Sequence, residues 1–318
     1  MFCLIEFIDL NGQNSYNNIR NWDGDKRRRY QLVETEMGRS MKKRVCLKGG
    51  YKMLVPRYYE NLSILHENTM PTRAYYIPAS KRMDDLVEHR ENSDRIQFLN
   101  GTWKFKYFES IYDVTEAFYE EGFSTEGFSD TKVPGVWQMD GYDNHQYTNI
   151  KYPFPFDPPF VPQDIPCGEY VYEFEYEKSK KTPKTYLNFE GVDSCFYVWL
   201  NGKYVGYSQV PHATSEFDVT ELIKEGNNKI AVLVMKWCDG SYLEDQDKFR
   251  MSGIFRDVYL LKRPEKAVRD YRVNTVVKDN KATISLDVMF TANTEVKVVL
   301  EDKDGNTVSE KEIAEEGT

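Results

Sequence analysis

An all-β architecture is predicted for this chain, a jelly-roll β-sandwich followed by a truncated immunoglobulin-like β-sandwich. Three observations carry that expectation. From Phe98 to Ile313 the chain breaks into short runs in which apolar and polar residues alternate or apolar residues dominate. Turn signals such as Asn201-Gly202 and Asp304-Gly305 separate the runs. A helical period is almost absent. The 318 residues are enough for two domains or three, and 14% aromatic content supplies large core side chains and excludes wholesale disorder.

Residues 1–52 read unlike the rest, with a basic run (Lys26, Arg27, Arg28, Arg29), Asn-rich stretches and no sustained period. Lys48-Gly49-Gly50-Tyr51-Lys52-Met53 can be encoded by AAA GGA GGT TAT AAA ATG, a bacterial ribosome-binding sequence at the right spacing before a start codon. Met53 is therefore the expected start, and residues 1–52 an upstream extension, non-native or disordered. Residues 53–93 are polar and irregular with aromatic anchors (Tyr58, Tyr59, Tyr75, Tyr76), which predicts an extended arm lying on another surface.

Residues 94–263 form the predicted jelly roll. Trp103, Phe105 and Tyr107 alternate with polar residues in a first strand, and acidic and aromatic residues predict a short helix over 114–120. Six of the 13 prolines fall between Pro153 and Pro166; lacking a donor and fixing φ, they predict a stiff ordered loop. Strands are expected at 169–176, 185–190, 195–200, 203–207, 229–237 and 255–261. After Pro264, strands at 268–278, 282–290, 295–301 and 307–313 make about half of the seven an immunoglobulin-like sandwich uses. Residues 264–318 are thus a partial second domain.

Charge excludes one class of partner. The net charge is −9, yet residues 1–52 hold 11 Lys and Arg against 6 Asp and Glu, leaving −14 for the remainder, so a nucleic acid is not expected. No apolar run approaches a membrane span, and Glu6 and Asp9 interrupt the first apolar stretch, so neither a membrane nor export is expected. Five scattered cysteines without a C-x-x-C, and only four histidines, predict neither a disulfide framework nor zinc, and fit a reducing cytoplasm.

Two polar clusters could carry chemistry. Cys238 to Asp247 places Asp239, Glu244, Asp245 and Asp247 directly after an apolar strand, without the spacing of a calcium loop. A solvated acidic turn is one reading. Trp237, Tyr242 and Phe249 bracket the acids and support another, a sugar site in which rings meet C–H faces and carboxylates orient hydroxyls. The second cluster runs from Trp137 to Pro153. No metalloprotease, nucleophile-elbow or P-loop motif occurs, and His66, His89, His145 and His212 lack a Ser or Cys partner pattern, so they are read as structural or exposed.

The stretch 237–260, W-C-D-G-S-Y-L-E-D-Q-D-K-F-R-M-S-G-I-F-R-D-V-Y-L, resembles the signature of the family 2 glycoside hydrolases that act as β-galactosidases. So do Y-T-N-I-K-Y-P-F-P-F-D-P-P-F-V-P at 147–162, F-E-G-V-D-S-C-F-Y-V-W-L-N-G at 189–202, R-A-Y-Y-I-P at 73–78 and L-N-G-T-W-K-F at 99–105. The resemblance covers residue 54 onward. It implies that Asn149, after Tyr-Thr, contacts sugar and that Asp239 meets both the galactose 6-hydroxyl and a sodium ion. Two departures are Gly135-Val136 in place of a more usual Ser-Asn, and Cys238 where Ser is common.

The resemblance also implies that the remaining sodium ligands, the magnesium ligands and both catalytic carboxylates lie in a (β/α)8 barrel absent from this chain. Retaining hydrolysis needs two carboxylates about 5 Å apart across the bond. The family's acid/base sits in an Asn-Glu pair, and no Asn is followed by Glu here; Glu244, Asp245 and Asp247 share one loop and cannot flank a bond. The expectation is an inactive N-terminal sugar-binding part of a β-galactosidase whose parent is a homo-oligomer. A self-sufficient carbohydrate-binding module, and a structural piece complementing a separately encoded remainder, are the alternatives.

Overall fold

In the strand Cys195–Leu200 every residue is buried, and the period of two sorts them. Phe196, Val198 and Leu200 enter one core; Cys195, Tyr197 and Trp199 enter another. The neighbouring strand Gly226–Met235 does the same, with Ile230, Val232 and Val234 on the first side and Ala231, Leu233 and Met235 on the second. A sheet buried on both faces needs apolar residues at consecutive positions, which is why these strands read as continuous apolar runs. The structure is a computed structural model and describes residues 5–9 and 53–314, apart from 84, 85, 87, 149, 245 and 246.

Two antiparallel sheets form the sandwich within residues 53–291. The larger runs in the order His66–Glu67, Lys203–Gln209, Cys195–Leu200, Gly226–Met235, Cys167–Tyr176, Gly101–Phe108 and Ser129–Val133. The smaller runs Ser215–Asp218, Lys184–Phe189, Val258–Arg263 and Ile96–Phe98. Leu187, Phe189, Phe217, Val258 and Leu260 face the larger sheet's Trp103, Phe105 and Phe196 to make the inter-sheet core. Phe196 stands 4.8 Å from Phe189 and 6.1 Å from Phe217, ring centre to ring centre.

The far face of the larger sheet is covered by irregular chain. Val55 and Tyr59 of the predicted arm, Ile111, Val114 and Phe118, and Val161 and Ile165 of the proline-rich loop pack there with Trp237 and Tyr242. The helix predicted over 114–120 does not form. A single 3-10 turn at Ile111–Asp113 precedes turns in which Val114 and Phe118 each anchor in that second core, and anchoring beats a weak amphipathic period.

Most predicted strands appear at or near their expected bounds. Cys195–Leu200 turns through Asn201 at φ 52 and Gly202 at φ 76, the left-handed pair that Asn-Gly supplies. The Asn201 amide accepts from Lys229 N at 3.0 Å and donates to Leu222 O at 3.0 Å, so the turn is tied to the strand beside it. Ser129–Val133 and Ser215–Asp218 were not predicted, being short, polar edge strands without a clear alternation.

Beyond Pro264 the four strands form where expected. Val268–Lys278 and Lys281–Phe290 make a hairpin belonging to the unit 53–291. The second compact unit contains Glu295–Glu301, paired with Thr307–Ala314 on one side and antiparallel to Ile5–Asp9 on the other. The rest of the predicted 1–52 extension lies outside the described residues. Among the described residues, no helix is long and apolar enough to cross a membrane.

Candidate functional site

Two loops meet at one end of the sandwich. The first leaves buried Trp137, whose backbone N–H donates to Ser252 O at 3.1 Å, and is pinned by the Lys236 ammonium at 2.5 Å from Asp143 Oδ2. The second follows Trp237 and opens with the 3-10 turn Asp239–Tyr242, capped by Ser241 Oγ, which accepts from Cys238 N at 3.1 Å. Farther along, Lys248 Nζ lies 3.3 Å from Asp193 Oδ2. Each loop is therefore held by a lysine–aspartate pair that is partly or wholly removed from water.

The loops then join one another. Phe249 pairs with Tyr147 and Arg250 with Gln146 in a two-residue ladder. The Tyr147 and Phe249 rings are 5.7 Å apart, and His145 meets Phe249 edge-on at 5.2 Å. The Tyr147 hydroxyl donates to Asp247 Oδ1. Tyr147, Phe249 and Asp247 are all exposed, so two rings and a carboxylate share one open surface.

The proline-rich segment packs on the second loop through Tyr242. The Tyr242 hydroxyl accepts from Asp157 N at 3.2 Å and donates to Phe160 O, while Phe154 and Phe156 meet its ring edge-on at 5.1 and 5.5 Å.

The sequence-predicted residues fall in different places. Asn149 and Asp245 lie outside the described residues. Asp239 is interior, 4% exposed, and the donors nearest its carboxylate are the Gln209 side chain and the Gly240 and Asn61 backbone. Burial pushes its carboxyl above the ordinary range, and the nearby Glu60 charge adds to this; dipoles of Gln209, Gly240 and Asn61 oppose it without prevailing. Glu244 is half-buried, pushed up to about 7 by burial first and the Asp193 charge second, against Lys248 and Arg250.

Asp239 was expected to serve both a sugar and a sodium ion, and those roles make different demands. A sugar hydroxyl needs an exposed oxygen. A small hard cation needs buried oxygen donors with negative charge, which Asp239 offers beside the Gln209 amide. Among the described residues, no group of three or more His, Cys, Asp or Glu is placed to hold a metal, so neutral oxygens would have to complete such a site.

Sequence reasoning missed Lys236, Asp193 and Lys248, and placed Asp143 in the second cluster without a partner. One signal was available: Lys236 directly follows an unbroken apolar strand, and a lysine there is inside unless the chain turns first. The described acids Glu244 and Asp247 come from a single loop, which suits orienting hydroxyls and does not set these two carboxylates on opposite sides of a bond.

A family model described as the sugar binding domain of glycosyl hydrolases family 2 matches residues 96–264. The chain belongs to that family. A β-galactosidase of Actinobacillus pleuropneumoniae is 47% identical over 240 residues, covering 75% of this chain and 23% of that protein. A β-galactosidase of Staphylococcus xylosus is 48% identical over 237 residues, again with 23% of its length covered. The chain thus spans about a quarter of the length of these relatives. Among solved structures, the β-glucuronidase of Ruminococcus gnavus with uronic deoxynojirimycin superposes with a TM-score of 0.54 at 20% identity, over 69% of this chain and 38% of that one. At that identity the likeness supports the fold alone.

Proposed function

We propose that this chain is the sugar-binding part of a retaining β-galactosidase and presents terminal galactose to catalytic groups carried elsewhere in such an enzyme. The observation that carries the reading is the ladder between Phe249 and Tyr147, which brings two rings and the Asp247 carboxylate to one exposed surface; Asn149 follows Tyr147 by two positions in the sequence. In this reading the rings meet the C–H face of the sugar, Asp247 and Asn149 take its hydroxyls, and Asp239 passes from sugar contact to cation binding. Sodium is the cation proposed for Asp239, where it would neutralise the buried carboxylate. Magnesium and both catalytic carboxylates would belong to the remainder of the enzyme. Three described cysteines, all free and buried, suit the cytoplasmic location proposed, and assembly of the parent as a homo-oligomer remains part of the proposal.

The test is titration of the chain with galactose and with glucose, followed by an assay for hydrolysis of an aryl β-galactoside. Galactose is expected to bind the better, Asp247→Ala to weaken it, and no hydrolysis to occur. Equal binding by the chain and Asp247→Ala, or turnover by the chain alone, overturns the reading.

A further inference from the structure

The outer face of the smaller sheet carries a pocket of about 130 Å3 that the galactoside reading does not use. Its floor is a cross-strand row. Glu216 lies directly opposite Asn188, and Asn188 directly opposite Tyr259, on three adjacent strands. Its roof is the arm, clamped by Met70 N donating to Glu216 O at 2.7 Å, with Thr72, Arg73 and Tyr75 as lining and Thr214 at the rim.

The polar groups are not equally satisfied. Glu216 is gripped by Arg73, whose Nη2 donates at 2.9 Å and whose Nε lies 3.3 and 3.2 Å from its two oxygens, and by Arg269 Nη1 at 3.1 Å, so it is an ionised acceptor with room for one further donor among its about four lone-pair sites. The Asn188 side chain is 0% exposed; its Nδ2 donates to Tyr186 O at 3.2 Å, but its Oδ1 has no partner. A buried acceptor without a donor is rare in a folded protein and calls for one from outside. Asn188 thus lacks a donor one strand away from a carboxylate that can accept another, and Tyr75, more than half exposed, offers a ring face at the mouth.

We propose that this pocket is a second binding site, for a small neutral polyol of about three to six carbons whose vicinal hydroxyls donate to Glu216 and to Asn188 Oδ1. Facing cross-strand residues stand about 5 Å apart, a separation that adjacent hydroxyls can bridge. The Thr72 and Thr214 hydroxyls can donate or accept and serve the remaining oxygens. A monohydric alcohol satisfies only one of the two acceptors.

Saturation-transfer NMR on the whole chain, with glycerol, galactose and 1-propanol as probes, tests this. Glycerol is expected to give signal and 1-propanol none. Asn188→Leu should lower glycerol affinity about tenfold, the loss of one hydrogen bond to a ligand. Thr214→Val, at an exposed rim position that does not bear on folding, should weaken it less. Tyr147→Ala, which disturbs only the galactoside surface, should leave glycerol unchanged, so the two sites fail separately. Equal signals from glycerol and 1-propanol, or glycerol binding indifferent to both pocket variants, would mean a cavity holding water only and would overturn the proposal.

Discussion

The Lys236 ammonium stands 2.5 Å from the Asp143 carboxylate, with side chains 5% and 14% exposed. Asn144 O lies 3.5 Å from the same ammonium. This pair joins the end of the central strand Gly226–Met235 to the loop that carries Tyr147. Lys236→Met should therefore leave an uncompensated carboxylate and cost about 3 kcal/mol. Adding Asp143→Leu should recover much of that loss. Urea unfolding of the two variants checks the pair; a double variant no better than the single one would show that packing of the lysine stem dominates.

A cation at Asp239 has a signature separable from sugar binding. If the buried carboxylate is neutralised by a hard cation, added sodium should raise the melting temperature of the chain and leave Asp239→Asn unmoved, as expected for a ligand of the folded state only. Magnesium alone, at equal ionic strength, is the second arm. In the absence of either cation, Asp239→Asn should melt higher than the parent, because desolvation of the carboxylate outweighs the hydrogen bonds that oppose it and a neutral amide is cheaper to bury. An identical response of both proteins to both cations removes Asp239 as a ligand.

Glu169 gives the chain a pH dependence of definite sign. It is 2% exposed and pushed up to about 8, by burial first; Lys106, directly opposite in register, pulls it down, and Glu116 pushes it up. Its folded value lies above its unfolded value, so folding takes up a proton. Stability from this group is complete below the ordinary carboxylate range and is lost as pH rises through about 8. Glu169→Gln should flatten the fall of unfolding free energy by up to about 1.4 kcal/mol per pH unit between those limits. A slope unaltered by the substitution would place the ionisation in another group.

Gly206 is where the arm crosses the sheet. A Cβ there would meet Glu67 O at 2.4 Å and the Phe217 ring at 2.6 Å. Both obstacles are fixed, one in a backbone ladder and one in the inter-sheet core. Gly206→Ala should cost about 1–3 kcal/mol by overpacking. It should also make the arm near His66 more sensitive to protease than the sandwich strands, and uniform protection would show that the core absorbs the methyl group instead.

The fold was legible because its signals are local. Asn201-Gly202 announces its turn, and the apolar run 230–235 announces a strand covered on both sides. The proline-rich stretch could be read as an ordered wall from composition alone, although its anchor, Tyr242, could not. The helix expected over 114–120 failed because a short amphipathic period cannot be told from two separate anchors, Val114 and Phe118. The site was legible as two clusters of residue types, not as an arrangement. Alternation and turn chemistry place Asp239 and Asp247 in the same loop, but only tertiary packing sends the first inward and leaves the second exposed.

The contacts that tie the two site loops together join residues far apart along the chain: Asp143 with Lys236 across 93 positions, and Tyr147 with Asp247 across 100. Loop closure over such spans must be complete before those contacts can form. Neither loop can acquire its shape from its own neighbours, so the sugar-facing surface is expected to mature after the central strands have docked. During synthesis, a ribosome that has not yet released Lys236 and Asp247 holds a chain with a nascent sheet and no recognition surface at all.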